Sequence, residues 1–198
     1  MGGLLLKDFY VLTKQVKLFI LIVILFAMLP GGQWSAFAIM YAAMMPITTL
    51  GYDEQSKWGK LAAMMPYTVK QIVLSKYLLG YIAVLAISLL AAAAQFVYGT
   101  IKGTGVSDGS LIAIVAMAVV AIFLQAVNLP LMFKMGVEKG RLIFMVLTVG
   151  VVLGAIALLD ENIQIPNIDT IITVVGVGVV VLNVVSILLS IKLYSNKN

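Results

Sequence analysis

The sequence predicts an all-α, polytopic membrane protein with six transmembrane helices and both termini in the cytoplasm. Composition, charge-free runs and the placement of basic residues support this prediction. Of the 198 residues, 63% are hydrophobic and 11% are charged, whereas a soluble domain is about half apolar and about a quarter charged. Because water offers no way to bury so much apolar surface, we interpret residues 1–198 as a single transmembrane domain.

Charge-free runs separated by turn signals define the six predicted spans, each judged against the roughly 20 residues that cross a bilayer. They cover residues 18–29, 35–52, 77–101, 110–133, 142–159 and 170–191. The first two are crowded, because residues 18–52 must hold two helices and the turn PGGQWS. Two short helices, a first helix that starts earlier while Lys14 and Lys17 reach the interface, and a re-entrant segment all remain open. We expect two spans.

Basic residues predict the orientation. With the N-terminus inside, every Lys and Arg except Lys102 falls in a cytoplasmic segment, as the positive-inside rule requires for an even number of spans. Residues 1–17 form an amphipathic pattern, with a basic side and an apolar side. The basic side carries Lys7, Lys14 and Lys17, and the apolar side carries Leu5, Phe9, Leu12 and Val16. This predicts a helix that lies on lipid at the cytoplasmic interface, or alternatively an extension of the first span.

Several kinds of chemistry are excluded by missing residues. The chain has no cysteine and no histidine, which removes disulfides, thiolate metal sites and the commonest general base. It also lacks the G-x-x-x-x-G-K-[ST] pattern of a P-loop. We therefore expect no catalytic, metal or cofactor site on this chain, and we assign its net charge of +5 to membrane orientation rather than to nucleic-acid binding.

The polar segment 51–76 lies between two long charge-free runs. Asp53 is the predicted N-cap of a helix over residues 53–65, and Pro66 ends it. One face of that helix would carry Trp58, Leu61, Ala62 and Met65, with Lys57 and Lys60 off that face. Thr68 and Gln71 fit a capping box, which predicts the start of the third membrane helix. The short helix would either lie on lipid or dock on a soluble partner.

Inside the predicted spans the polar residues are uncharged, which argues against ion coupling. The main candidates are Gln95, Gln125, Asn128 and Asn183. They would form hydrogen bonds between helices or line a weakly polar conduit, and both interpretations stay open. Pro130 predicts a bent or loosened helix near the end of the fourth span, in which backbone groups lack their usual hydrogen-bond partners.

Together, the N-terminal segment LLLKDFYVL, the six spans and the first cytoplasmic loop resemble a small bacterial ABC-2-type exporter permease. In the loop, the resemblance depends on Glu54, Gly59, Leu61, Pro66 and Lys76. It implies that residues 53–65 form a coupling helix that contacts a separate cytoplasmic ABC ATPase. The implied contact residues are Asp53, Glu54, Lys57, Trp58, Gly59, Leu61, Ala62, Met65 and Pro66.

The resemblance also implies that the chain is not an enzyme, that ATP and Mg²⁺ bind to the partner ATPase, and that two permease copies form a homodimer in the bacterial cytoplasmic membrane. Chain length and apolar spans further resemble permeases that export amphipathic cytolytic peptides of the phenol-soluble modulin type. The expected substrate is therefore an exported amphipathic or hydrophobic molecule, with a peptide preferred. The alternatives are a non-transporting membrane anchor that docks a soluble partner on residues 51–76, and an ATP-independent carrier or membrane enzyme.

Overall fold

A computed structural model describes residues 2–29, 32–102, 108–160 and 168–195, and within these ranges the regular structure is helical throughout. The predicted turn residues 30–31 and Lys197 lie outside the described residues. The helices are α1 (Gly2–Gln15), α2 (Lys17–Met28), α3 (Gly32–Ala42), α4 (Met45–Gln55), α5 (Trp58–Ala63), α6 (Val69–Lys102), α7 (Asp108–Met135), α8 (Val137–Asp160) and α9 (Ile168–Ser195). The all-α prediction is confirmed.

Four helical stretches of the described chain are long and apolar enough to cross a membrane. They are Gln33–Gln55, Val69–Lys102, Ser110–Met135 and Gly178–Ser195. Counting the bent pair α1–α2 as one further span gives up to five. This confirms a polytopic membrane protein, since a lipid-exposed chain must satisfy its backbone groups internally. Six spans and the orientation of the chain stay predictions.

The N-terminal helix pair is sharply bent. Around Val16 the chain turns so that α1 and α2 meet at 87°, which makes α1 a separate helix rather than a straight extension of α2. With 12 residues, α2 is about 18 Å long at about 1.5 Å per residue, which is short of the roughly 30 Å hydrocarbon core. By contrast, α3 and α4 together form a stretch of 23 residues.

The face that α1 turns toward the protein differs from the predicted apolar side. Leu4, Asp8 and Leu12 are buried, and these residues recur at every fourth position, one helical turn apart. Phe9, which was expected on the same side as Leu12, is exposed. An acidic residue thus lies in the middle of the buried face of α1.

The apolar core surrounds α7, which packs most extensively against α9 and also contacts α3, α6 and α8. One apolar cluster joins α2, α3, α6 and α7 and includes Val23, Ile39, Val84 and Ala121. A second cluster joins α4, α6, α7 and α8 and includes Ile47, Tyr77, Leu129 and Phe144. This core fixes the ends of α4, α6, α7 and α9 around the short helix α5.

Candidate functional site

The predicted coupling helix is shorter than expected. Asp53 and Glu54 belong to the last turn of α4, and α5 covers only Trp58–Ala63. Asp53 is therefore wrong as the N-cap of a helix over 53–65, because α4 continues through it. Between α4 and α5, Lys57 has a left-handed backbone with φ of 54°, so the chain changes direction sharply at this residue.

Four charged side chains meet beside α5, and we call Lys7, Asp8, Asp53 and Lys76 the ion cluster. The ammonium of Lys76 lies 2.7 Å from Asp8 Oδ1 and 2.6 Å from Asp53 Oδ2. The ammonium of Lys7 lies 2.6 Å from Asp53 Oδ1 and 3.1 Å from Asp8 Oδ1. Two positive and two negative charges balance, which is the condition under which ionised groups are retained in a protein interior.

The ion cluster connects three helices and contacts a fourth. Lys7 and Asp8 come from α1, Asp53 from α4 and Lys76 from α6. The ammonium of Lys7 also lies 4.3 Å from the centre of the Trp58 ring of α5, a cation–π contact. Lys76 donates its third hydrogen bond to Thr49 Oγ1 at 3.3 Å, so all three of its donors are used.

An apolar cluster holds the inner face of α5. Ala62 is buried with Leu4 of α1 and Ile72 of α6, and Trp58, Tyr67 and Tyr194 pack around them. The predicted common face of Trp58, Leu61, Ala62 and Met65 is therefore wrong. Ala62 is 2% exposed, whereas Leu61 is 50% exposed, because α5 ends at Ala63 and lies with only one side against the protein.

Several side chains of α5 and of the residues beside it are exposed. We call Lys57, Lys60, Leu61, Met64 and Met65 the docking surface. Met64, which was not among the predicted contact residues, is 84% exposed. Lys57 and Lys60 are exposed and form no ion pair among the residues that the structure describes. Of the other predicted contact residues, Pro66 is exposed and Gly59 is half-buried.

Glu54 faces α8 rather than the docking surface. Its Oε2 accepts a hydrogen bond from the backbone N–H of Val137 at 3.0 Å, and a carboxylate is favoured at a helix N-terminus. The preceding residue, Gly136, has a φ of 86°, and a Cβ there would lie 3.2 Å from Glu54 Oε1. The turn between α7 and α8 thus needs a glycine, and Glu54 ties the end of α4 to the start of α8.

A cavity of about 290 Å³ lies between α5 and the ends of α4, α6, α7 and α9. Apolar and aromatic side chains such as Trp58, Phe133 and Tyr194 form much of its wall, and Asp53 and Lys76 of the ion cluster border it. A pocket therefore separates part of α5 from the ends of these helices.

The predicted conduit residues lie mostly inside the bundle. Gln125 and Asn128 are fully buried, and Asn183 is nearly so, whereas Gln95 is only partly buried. Gln125 Nε2 donates to the carbonyl of Tyr77 at 3.1 Å, which links α7 to α6. The hydroxyl of Tyr81 donates to Asn183 Oδ1 at 2.7 Å, which links α6 to α9.

Asn128 behaves differently, because its Nδ2 donates to the carbonyl of Leu124 within α7 at 2.8 Å. Three buried amide atoms have no hydrogen-bond partner among the described residues, namely Gln95 Nε2, Gln125 Oε1 and Asn128 Oδ1. The arrangement therefore contains bonds between helices together with free polar atoms, and a conduit role for these residues stays a prediction.

Pro130 contributes a further link between helices. Proline has no N–H, so the carbonyl of Ala126, four residues earlier in α7, lacks its usual donor. The hydroxyl of Ser186 from α9 donates to that carbonyl. Ser186 also lies 2.5 Å from the Tyr77 hydroxyl, which is 2.9 Å from Ser190 Oγ. The freed backbone group predicted near Pro130 is thus used to join α7, α9 and α6.

Asp8, the most buried charged residue of the site, is not among the residues predicted from the sequence, which placed Lys7 on the basic side of an interfacial helix. A signal was present, because Leu4, Asp8 and Leu12 are spaced by four residues and so place the carboxylate within an apolar stripe. An acid at such a position requires a cationic partner, and Lys76 supplies it.

In a comparison with protein families, one family model matches nearly the whole chain. The family model described as ABC-2 family transporter protein matches residues 3–195, which include the ion cluster, α5 and the docking surface. The comparison with curated proteins found no match. The comparison with solved structures found none either.

Proposed function

The chain belongs to the ABC-2 transporter family, and we propose that it is the permease subunit of an ATP-driven exporter in the bacterial cytoplasmic membrane. Membership makes the chain a membrane component of an ABC transporter, not itself catalytic, and implies an ATPase partner. In the proposal, this partner binds ATP and Mg²⁺, contacts the docking surface from the cytoplasm and changes the access of the transmembrane bundle through α5.

The observation that carries this proposal is the docking surface. Leu61, Met64 and Met65 expose large apolar side chains in the same segment as Lys57 and Lys60, which form no ion pair within the described part of the chain. A short helix that presents apolar anchors with flanking charge fits a groove on a soluble partner. Its inner side is held by the ion cluster and by the apolar cluster around Ala62, so a partner that moves α5 would act on α1, α4 and α6 together.

The proposed substrate is an amphipathic or hydrophobic molecule, with a peptide of the phenol-soluble modulin type as the preferred example. Support comes from the interior of the spans. Residues 77–101 and 110–133 carry no charge, and the buried polar groups there are hydroxyls and amides such as Tyr77 and Gln125. A strongly charged substrate would lose its hydration without gaining a partner.

We further propose that two copies of the chain form the transmembrane part. The described residues contain four candidate spans, or up to five, which is few helices to enclose a path for a peptide. Exposed apolar side chains along α6, including Ile82, Leu85 and Leu89, leave apolar surface for lipid or for a second copy.

The test is affinity purification of the chain from its native membrane in mild detergent, followed by identification of every bound protein. We expect a stoichiometric soluble ATPase. The double variant Leu61→Asp/Met64→Asp should lose it, because two carboxylates replace the exposed apolar contacts while Trp58 and Ala62 stay in place. The control Leu61→Met/Met64→Leu keeps the apolar surface and should retain the ATPase.

Two results would contradict the proposal. A chain that purifies alone, or with a partner that is not an ATPase, would favour the membrane-anchor alternative. An ATPase that remains bound at full stoichiometry to the aspartate variant would show that α5 is not the docking helix. Size-exclusion profiles of the two variants control for loss of folding.

A further inference from the structure

We propose that the ion cluster of Lys7, Asp8, Asp53 and Lys76 is a mechanical joint that makes α1 move together with α5 when the ATPase acts. The four side chains are positioning residues, since they act through the helices that carry them. This inference rests on the proposed function, because it takes α5 as the helix that the ATPase moves.

The geometry places the joint on the path from α5 to α1. Asp53 precedes the Lys57 turn by one helical turn and belongs to α4, so a displacement of α5 pulls on it through the backbone. Lys7 of α1 contacts both sides of that turn, with Asp53 Oδ1 at 2.6 Å and the Trp58 ring at 4.3 Å. Lys76 connects the same carboxylate to Asp8 and to α6.

Because the ion cluster is buried, separating its charged side chains costs free energy. The side chains of Lys76 and Asp8 are 2% and 1% exposed, and water cannot replace a partner that leaves such a site. Separating either ion from the cluster would leave an uncompensated charge in a low-dielectric environment. Neighbouring apolar contacts can change without such a cost, so the helices that share the cluster are expected to move as a unit.

The ion cluster can nevertheless change its geometry without losing its ion pairs. Asp8 Oδ2 is buried and has no hydrogen-bond partner in the described part of the chain, while Asp8 Oδ1 receives both Lys7 and Lys76. A small shift of α1 can transfer one ammonium from Oδ1 to Oδ2 without leaving an ion unpaired. The cavity of about 290 Å³ beside Asp53 and Lys76 gives the α4–α5 side space for the same movement.

A purely structural role would instead hold α1 on the bundle without transmitting movement. The variant Asp8→Asn/Lys76→Met distinguishes the two roles, because it removes one charge of each sign and leaves the Lys7–Asp53 pair. Removing both partners of a buried pair is tolerated far better than removing one. The matched control is Lys70→Met, an exposed lysine in the same helix with no ion pair among the described residues.

The absence of native cysteine permits direct measurement of the movement. Spin labels are attached in pairs, to Thr13→Cys on α1 with Ile112→Cys on α7, and to Ser56→Cys beside α5 with Ile112→Cys. All three positions are exposed. Distances are measured by pulsed electron paramagnetic resonance in the purified permease–ATPase complex, with and without Mg²⁺–ATP, after dilution of labelled chain into unlabelled chain.

We expect both distances to change with Mg²⁺–ATP in the otherwise unmodified chain and in the Lys70→Met control. In Asp8→Asn/Lys76→Met, which keeps Lys7 on Asp53 and Trp58, the change at Ser56 should persist while the change at Thr13 falls in part. Lys7→Met, which keeps Lys76 between Asp8 and Asp53, should likewise lower only the change at Thr13, and combining the substitutions should reduce that change to less than half.

A full change at Thr13 in both variants would overturn the inference and leave the proposed function intact. The same conclusion would follow if α1 stayed still in the unmodified chain while Ser56 moved. If ATP moved neither label in the unmodified complex, the coupling role of α5, and with it the proposed function, would be contradicted.

Discussion

At Pro130 the chain loses one backbone hydrogen bond within α7 and gains one contact between helices. The unpaired carbonyl of Ala126 accepts the hydroxyl of Ser186, which is itself in contact with the hydroxyl of Tyr77. Within a bilayer no water is available to satisfy such a carbonyl, so a neighbouring side chain must do so. A residue that weakens its own helix thereby fixes the position of α9.

This pairing predicts that the effects of changing Pro130 and Ser186 are not additive. Ser186→Ala alone should lower the free energy of unfolding by about 1 kcal/mol, because the buried Ala126 carbonyl is left unsatisfied. In a Pro130→Ala background the loss should be smaller, since the amide of residue 130 can then donate to that carbonyl. A double-mutant cycle on thermal stability in detergent measures the difference.

Ser88→Ala is the control for that cycle. The hydroxyl of Ser88 makes an exposed hydrogen bond to the carbonyl of Leu85 in its own helix and has no other partner among the described residues, so its removal should have little effect in either background. Equal losses from Ser186→Ala with and without Pro130 would show that the carbonyl of Ala126 does not depend on the serine.

At the scale of elements, a local capping signal predicts the start of a helix correctly where no residue from a distant part of the chain binds the same side chain. The capping box that begins α6 is confirmed, since Thr68 N–H donates to Gln71 Oε1 at 3.2 Å and Gln71 N–H donates to Thr68 Oγ1 at 3.3 Å. Asp53 has the same kind of local preference for an N-cap. It is instead bound by Lys7 and Lys76, which approach from other helices, and α4 continues past it.

The turn between α4 and α5 gives opposite predictions for two neighbouring lysines. Lys57→Gly should stabilise the protein by up to about 1 kcal/mol, because a left-handed backbone costs a residue with a Cβ about 1–2 kcal/mol and glycine loses part of that gain in the unfolded chain. Lys60→Gly should destabilise by about 1 kcal/mol, because Lys60 lies within α5. Thermal unfolding of both variants in detergent tests the difference in sign, and a loss for both would contradict the role of the turn.

For the whole molecule, the helices could be predicted from the sequence, but the contacts that join them could not. Charge-free runs correspond to helices because the bilayer imposes length and polarity on consecutive residues. The ion cluster could not be located in this way, since Asp8 and Lys76 are 68 positions apart and Lys7 and Asp53 are 46 apart. The first predicted span, residues 18–29, corresponds to α2, which has 12 residues and from which α1 turns away at 87°.

Basic residues that the positive-inside rule assigns to the same side of the membrane nevertheless meet in the structure. Lys7 and Lys76 meet at the ion cluster, and a Cβ on Gly51 would lie 3.1 Å from the guanidinium of Arg141. Lys102 is at the other end of α6. From Lys76 the distance along the helix is about 39 Å at about 1.5 Å per residue, more than the roughly 30 Å hydrocarbon core, so α6 is long enough to place the two lysines on opposite sides of a membrane.

Single cysteines can show which side is the cytoplasm, and the cysteine-free parent gives no background. In intact cells a membrane-impermeant maleimide should label Lys102→Cys and should label Met64→Cys only after permeabilisation. Lys139→Cys should behave like Met64→Cys, because Glu54 holds the start of α8 beside the end of α4. If a bound ATPase shields Met64→Cys from the maleimide, labelling of Lys139→Cys still shows which side of the membrane is the cytoplasm. Labelling of Lys139→Cys in intact cells would reverse the orientation and place the docking surface outside, where no cytoplasmic ATPase could reach it.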